Sequence, residues 1–193
     1  FVFKTTDFGE SWTNISAGLP DEPVNVVREH HENPNLLFVG TDFAVYASVD
    51  GGGSWTRMKN NMPTQPAYDM KIHPRENDLI VATHGRGIYI ADISPLAEVT
   101  PEVLGQDAFF FQPESKVRWV GTDLTNYASN SAIGQSEAEE IPFYYYLAED
   151  VPGPVTFTVY QGNMEIAELE GAGEAGLHMV AWGVDKTRAM TPA

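Results

Sequence analysis

The side chains able to do chemistry in this chain are acidic groups, a few histidines and one glycine-flanked arginine. Cleavage of a glycosidic bond needs two carboxyl groups about 5–10 Å apart in a cleft. Asp7 and Asp50 stand in two copies of one octet, Thr5-Thr6-Asp7-Phe8-Gly9-Glu10-Ser11-Trp12 and Ser48-Val49-Asp50-Gly51-Gly52-Gly53-Ser54-Trp55. The octet reads as a tight turn, so the turn already explains both residues. Asp42 and Asp69 fall near strand ends, and no spacing pairs them. The best polar candidate is His84-Gly85-Arg86-Gly87. Its glycines would let backbone N–H groups approach a ligand, while His84 and Arg86 suit a carboxylate or sugar hydroxyls. A blade-entry turn whose glycines only meet a positive-φ requirement is the simpler expectation.

Other candidates are weaker. His30-His31-Glu32 has metal-ligand residue types, but neighbouring residues of a strand point to opposite faces. His73 and His178 are isolated and read as solvated or capping residues. Phe109-Phe110-Phe111 and Tyr144-Tyr145-Tyr146 would suit sugar stacking, though a core and cross-strand role is the simpler expectation. The sequence contains no H-E-x-x-H, G-x-S-x-G, phosphate loop or dinucleotide fingerprint. No metal and no cofactor are expected.

Composition narrows the classes further. Among 193 residues there is no cysteine, which excludes disulfides, zinc–thiolate sites and a cysteine nucleophile. A formal net charge of −16 argues against a nucleic-acid backbone or an anionic membrane as partner. The acidity is spread along the chain and reads as a solvated surface. No apolar run approaches the ~18 residues of a membrane span. With 17 glycines and 13 prolines, a turn-rich all-β chain is expected.

The elements that must position these residues follow from a repeat. The two octets are 43 residues apart. Val2-Phe3, Val45-Tyr46 and Ile88-Tyr89 continue the same step, and Leu37-Phe38-Val39-Gly40-Thr41 matches Leu79-Ile80-Val81-Ala82-Thr83 at 42. His31 aligns loosely with His73. In each octet the apolar strand delivers the chain to a turn. The Asp carboxylate accepts backbone N–H groups there, Gly supplies positive φ, and Trp opens the return strand. Hairpins are expected over residues 24–30 with 36–41 and over 67–73 with 79–83, followed by a strand over 88–92.

The octet resembles the Asp-box, or bacterial neuraminidase repeat, with Thr5, Asp7, Gly9, Ser11 and Trp12 in one copy and Ser48, Asp50, Gly52, Ser54 and Trp55 in the other. The motif occurs in sialidases, xyloglucanase-like glycosidases, sortilin-type receptors and photosystem assembly factors. The stretch from Asp78 to Leu96 resembles the last blade of large exported bacterial sortilin-like proteins, often labelled glycosyl hydrolases. The resemblance implies a β-propeller, whose ring needs at least ~4 blades of ~40–45 residues. About two are expected here, so the chain reads as a piece of a longer protein.

Residues 93–106 read as a linker, because Pro95 and Pro101 break regular elements. A short strand is expected over 107–112 and another over 116–120. A long polar loop follows over 121–140, then strands over 143–147, 154–161, 164–169 and 176–182. This second half, 107–193, is expected to be an immunoglobulin-like β-sandwich, unfinished at its C-terminal end.

The fold expectation is therefore all-β: a partial Asp-box propeller over 1–92, a linker, and a sandwich. The resemblance implies a non-catalytic scaffold or binding portion of an exported protein. The alternatives are a fragment of a glycoside hydrolase whose catalytic residues lie mainly elsewhere, and a receptor-like or assembly-factor interaction module. Expected partners are carbohydrate or protein, together with the remaining blades of the parent chain, but no nucleic acid. No signal peptide is visible in the sequence.

Overall fold

The computed structural model describes residues 1–59, 62–113, 115 and 140–183. The strand expected over 116–120, nearly all of the polar loop after it, and the stretch beyond Gly183 fall outside the described residues. The protein is all-β, made of several antiparallel sheets with no closed barrel among the described residues. The chain divides into two compact units, residues 1–105 and 106–193.

Among the described residues the first unit holds three sheets. A two-stranded hairpin pairs β1 (Phe3–Lys4) with β2 (Thr13–Asn14). A four-stranded meander follows: β3 (Val24–Glu29), β4 (Leu37–Thr41), β5 (Val45–Ser48) and β6 (Thr56–Arg57). The third sheet is β7 (Ala67–Ile72), β8 (Asp78–Thr83) and β9 (Ile88–Asp92), again a meander.

The pairing registers repeat as the residues do. Val39 opposes Tyr46 as Val81 opposes Tyr89, and Phe38 opposes Ala47 as Ile80 opposes Ile90. Phe3 opposes Asn14 as Tyr46 opposes Arg57, so β1–β2 is a copy of β5–β6. Even the irregularity recurs: the register slips between Val24 and Val26, and between Ala67 and Asp69, 43 residues on. The bulged residues are thus Asn25 and Tyr68.

The core explains why β4 and β5 are apolar on both faces. Alternation along a strand sends neighbouring side chains to opposite sides. Phe38, Val45 and Ala47 enter one cluster with Ala67, Met70, Leu79 and Val81 of the third sheet. Val39, Ala44 and Tyr46 enter a second with Val2, flanked by Ile15 and Trp55. The middle sheet is therefore covered on both sides. Gly40 packs tightly against β3 and β7, for a Cβ there would sit 2.7 Å from Val26 Cγ1 and 3.0 Å from Ala67 Cβ.

Residues 93–106 do not behave as a linker. They contain two helical turns, α1 (Ser94–Ala97) and α2 (Pro101–Leu104); Ile93 joins the core of the first unit, and Val99 and Val103 are buried. The prolines that read as breakers stand in the first turn of each helix, where a missing N–H costs no hydrogen bond. Thr100 caps α2 by accepting from Val103 N–H.

The second unit pairs β10 (Ala108–Phe110), β11 (Ile141–Leu147) and β14 (Gly176–Trp182) in one sheet, and β12 (Val155–Gln161) with β13 (Met164–Gly171) in another. Phe157 of β12 meets the rings of Phe110 and Tyr145 at 5.7 and 4.9 Å. The Tyr145 hydroxyl donates to the Ala172 carbonyl at 2.7 Å, and glycine at 171 leaves room for that ring.

Candidate functional site

The two Asp turns have the same chemistry. In the first, the Thr5 hydroxyl donates to Asp7 Oδ1 at 2.8 Å and accepts Gly9 N–H at 2.9 Å. Ser11 donates its N–H to Oδ1 at 2.9 Å and its hydroxyl to Oδ2 at 2.5 Å. In the second, Ser48 donates to Asp50 Oδ1 at 2.7 Å and accepts Gly52 N–H at 2.8 Å. Ser54 supplies its N–H at 2.9 Å and its hydroxyl at 2.6 Å. Gly9 and Gly52 both have φ of +95°, where an L side chain is strained.

Both carboxylates are held ionised by these bonds. Asp7 is lowered to about 2 by the Ser11 hydroxyl and N–H, with Thr5 adding to them. At Asp50 partial burial opposes the charge, but Ser54 and Ser48 outweigh it and its pKa is lowered. A carboxylate held ionised by donors is suited to fixing a turn and unsuited to donating a proton.

The remaining sequence candidates also have structural partners. Asp69 pairs with the Arg28 guanidinium at 2.5 Å, while Arg28 Nε donates to the Met70 carbonyl, which ties β3 to β7. Asp42 accepts from the Asn25 amide at 2.9 Å. His30 and His31 lie past the end of β3, so they are not splayed across a strand. Their rings lie with centroids 4.4 Å apart and planes tilted by 33°, which corrects the expectation of opposite faces. His30 nonetheless has both ring nitrogens engaged. Nδ1 accepts Asn33 N–H at 3.1 Å, so the neutral ring carries its proton on Nε2, 3.1 Å from Asn77 Oδ1. His73 occupies the position in the repeat that corresponds to His30 rather than to His31, and its Nδ1 accepts Glu76 N–H as His30 accepts Asn33 N–H. Among the described residues no three His, Asp or Glu side chains gather as metal ligands.

The aromatic runs are core and cross-strand residues. Phe111 and Tyr145 are buried, and Phe143 stacks on Trp182.

What is left is one edge of the first unit, where the β4–β5 and β8–β9 turns stand beside the bulges of β3 and β7. Here the repeat is kept in backbone and changed in side chain. Asp42 N–H donates to the Pro23 carbonyl and His84 N–H to that of Pro66. Asn25 with Asp42 becomes Tyr68 with His84, two rings meeting edge to face at 5.3 Å. Tyr68, His84 and Arg86 are exposed. Gly85 and Gly87 have positive φ and open space around them, so backbone conformation alone accounts for these glycines. The turn is also one residue longer than its copy. Thr41 gives its hydroxyl to Glu22 at 2.7 Å, whereas Thr83 gives its own to the Gly87 carbonyl. Gln65, in the place of Glu22, is consequently buried with neither amide atom partnered.

The period predicts Tyr68 at the Asn25 position, yet neither residue carries a motif, so the sequence alone did not single them out. No protein-family model, curated protein or solved structure matches the chain.

Proposed function

We propose that this chain is a non-catalytic, ligand-presenting scaffold: part of an exported Asp-box β-propeller protein of the sortilin-like kind, with an immunoglobulin-like sandwich in its second unit. The observation that carries the reading is the pair of identical Asp turns, whose carboxylates are occupied by the hydroxyl and N–H groups of their own octets. The face-to-face sheets repeating at 43 residues support blades of such a propeller. The remaining blades belong to the parent chain. The exposed Tyr68–His84 pair beside Arg86 offers a ring face and a cation, the groups that suit a sugar or a carboxylate-bearing partner.

The test is a panel of glycosides incubated with the chain, beside Asp7→Asn and Asp50→Asn. No hydrolysis by any of the three, with lowered melting temperature in both variants, is expected. Hydrolysis by the unsubstituted chain that Asp50→Asn abolishes without unfolding it would overturn the reading.

A further inference from the structure

We propose that the edge holding Tyr68, His84 and Arg86 is a binding site for a neutral sugar of a glycan chain, and that Gln65 is the residue that selects its hydroxyls. The inference rests on the ligand-presenting reading and names the ligand of that same edge.

The edge stays open whatever sheets stand beside it. The middle sheet is covered on both faces, yet its own copy of this edge is exposed at Asn25 and at Phe43, the latter by 50%. Tyr68, at the position of Asn25, is 52% exposed. Covering sheets lie against strand faces, whereas these residues stand at bulges and turns.

Gln65 sits where the two turns meet. Its N–H donates to the Phe43 carbonyl of the β4–β5 turn, and the next residue, Pro66, accepts His84 N–H of the β8–β9 turn. Gln65 is 7% exposed, and neither atom of its side-chain amide has a partner. At the equivalent position the Glu22 carboxylate takes the Thr41 hydroxyl at 2.7 Å, but Thr83 has turned its hydroxyl to Gly87. A buried amide left unpaired is destabilising, and native chains keep few of them. No hydrogen bond holds this one, so it can turn toward the edge without breaking any. A ligand there fills both of its ends.

The chemistry of the edge selects the ligand. Hydroxyls of a sugar ring donate and accept, as the amide does. Tyr68 and Phe43 offer ring faces for the apolar side of the sugar. Arg86 and His84 add groups for further hydroxyls. A peptide strand would need backbone partners, and the turn's own are spent: His84 N–H on Pro66, and Thr83 N–H on the Gly87 carbonyl. A polyanionic glycan would meet a chain of net charge −16. A neutral sugar fits what is left.

The test is a titration of the full chain, followed by amide NMR shifts, with neutral hexasaccharides of glucose, mannose and xylose, with hexagalacturonate and with hexaglycine. At least one neutral glycan is expected to shift Gln65, Tyr68, His84 and Arg86, the Gln65 side-chain amide included, while Gly9 and Gly52 of the Asp turns stay put. Tyr68→Ala and Gln65→Met should each weaken that binding about tenfold or more. Gln65→Met removes the unpaired amide, so it should also raise the melting temperature, which separates lost binding from lost fold. A lowered melting temperature would mean that a water already satisfies the amide, and would overturn the proposal. So would no shift with any neutral glycan, a stronger response to hexagalacturonate or hexaglycine, or unchanged affinity in Gln65→Met. The scaffold reading would survive each of these, because it falls only to hydrolysis that depends on Asp50.

Discussion

The middle and third sheets of the first unit share one pattern and differ in what covers them. Their strand pairings, their bulges and their edge turns correspond at steps of 42 and 43 residues. Yet β5 is buried throughout while β9 alternates between half-buried and exposed residues. The local sequence therefore sets the sheet, and the neighbouring sheet sets the burial. The two Asp turns teach the same lesson. Their hydrogen bonds agree, but Trp55 donates its indole N–H to Ile15 and joins a core cluster, whereas Trp12 is exposed.

The largest difference is expected at those tryptophans. Trp55→Ala should cost about 3 kcal/mol, since it empties a packed site, while Trp12→Ala should be near neutral; urea unfolding measures both. Next come the glycines. Gly9→Ala and Gly52→Ala share the strain of φ at +95°, about 1–2 kcal/mol. Only at residue 52 does the added Cβ also collide with Ile15, so Gly52→Ala should lower the melting temperature further. Equal losses would mean that the neighbouring sheet contributes nothing to the turn.

A smaller effect is expected in acid. Asp7 and Asp50 are lowered from an ordinary 3.8, Asp7 to about 2. The unfolded chain therefore takes up protons first as pH falls. The stability these carboxylates contribute is present above the ordinary carboxylate value and is lost as pH falls through their lowered values, about 2 for Asp7. Asp7→Asn and Asp50→Asn should each flatten that loss in acid-unfolding curves. An unchanged acid limb would show that the serine and threonine donors do not hold the carboxylates ionised.

Much of this fold was legible because hydrophobic alternation and turn residues are local signals. The strand over 88–92, for example, falls where the period places it. The helical turns at 94–97 and 101–104 were not, because proline at a helix start and proline as a breaker look alike without the surrounding packing. The edge pairing of Tyr68 with His84 was hidden because bulge and turn meet only through the register of β7 and β8. The role of Asp69 was hidden similarly: its partner Arg28 is 41 residues away, on another sheet. His84 and Arg86 stood out only because glycines flank them.

The central claim is that one repeated sheet is covered on both faces in one place and on one face in the next. Val45→Ala and Ile88→Ala, at equivalent positions, test it most directly by urea unfolding. The expected result is a loss of about 2 kcal/mol for Val45→Ala and almost none for Ile88→Ala. Equal losses at the two positions would contradict the account.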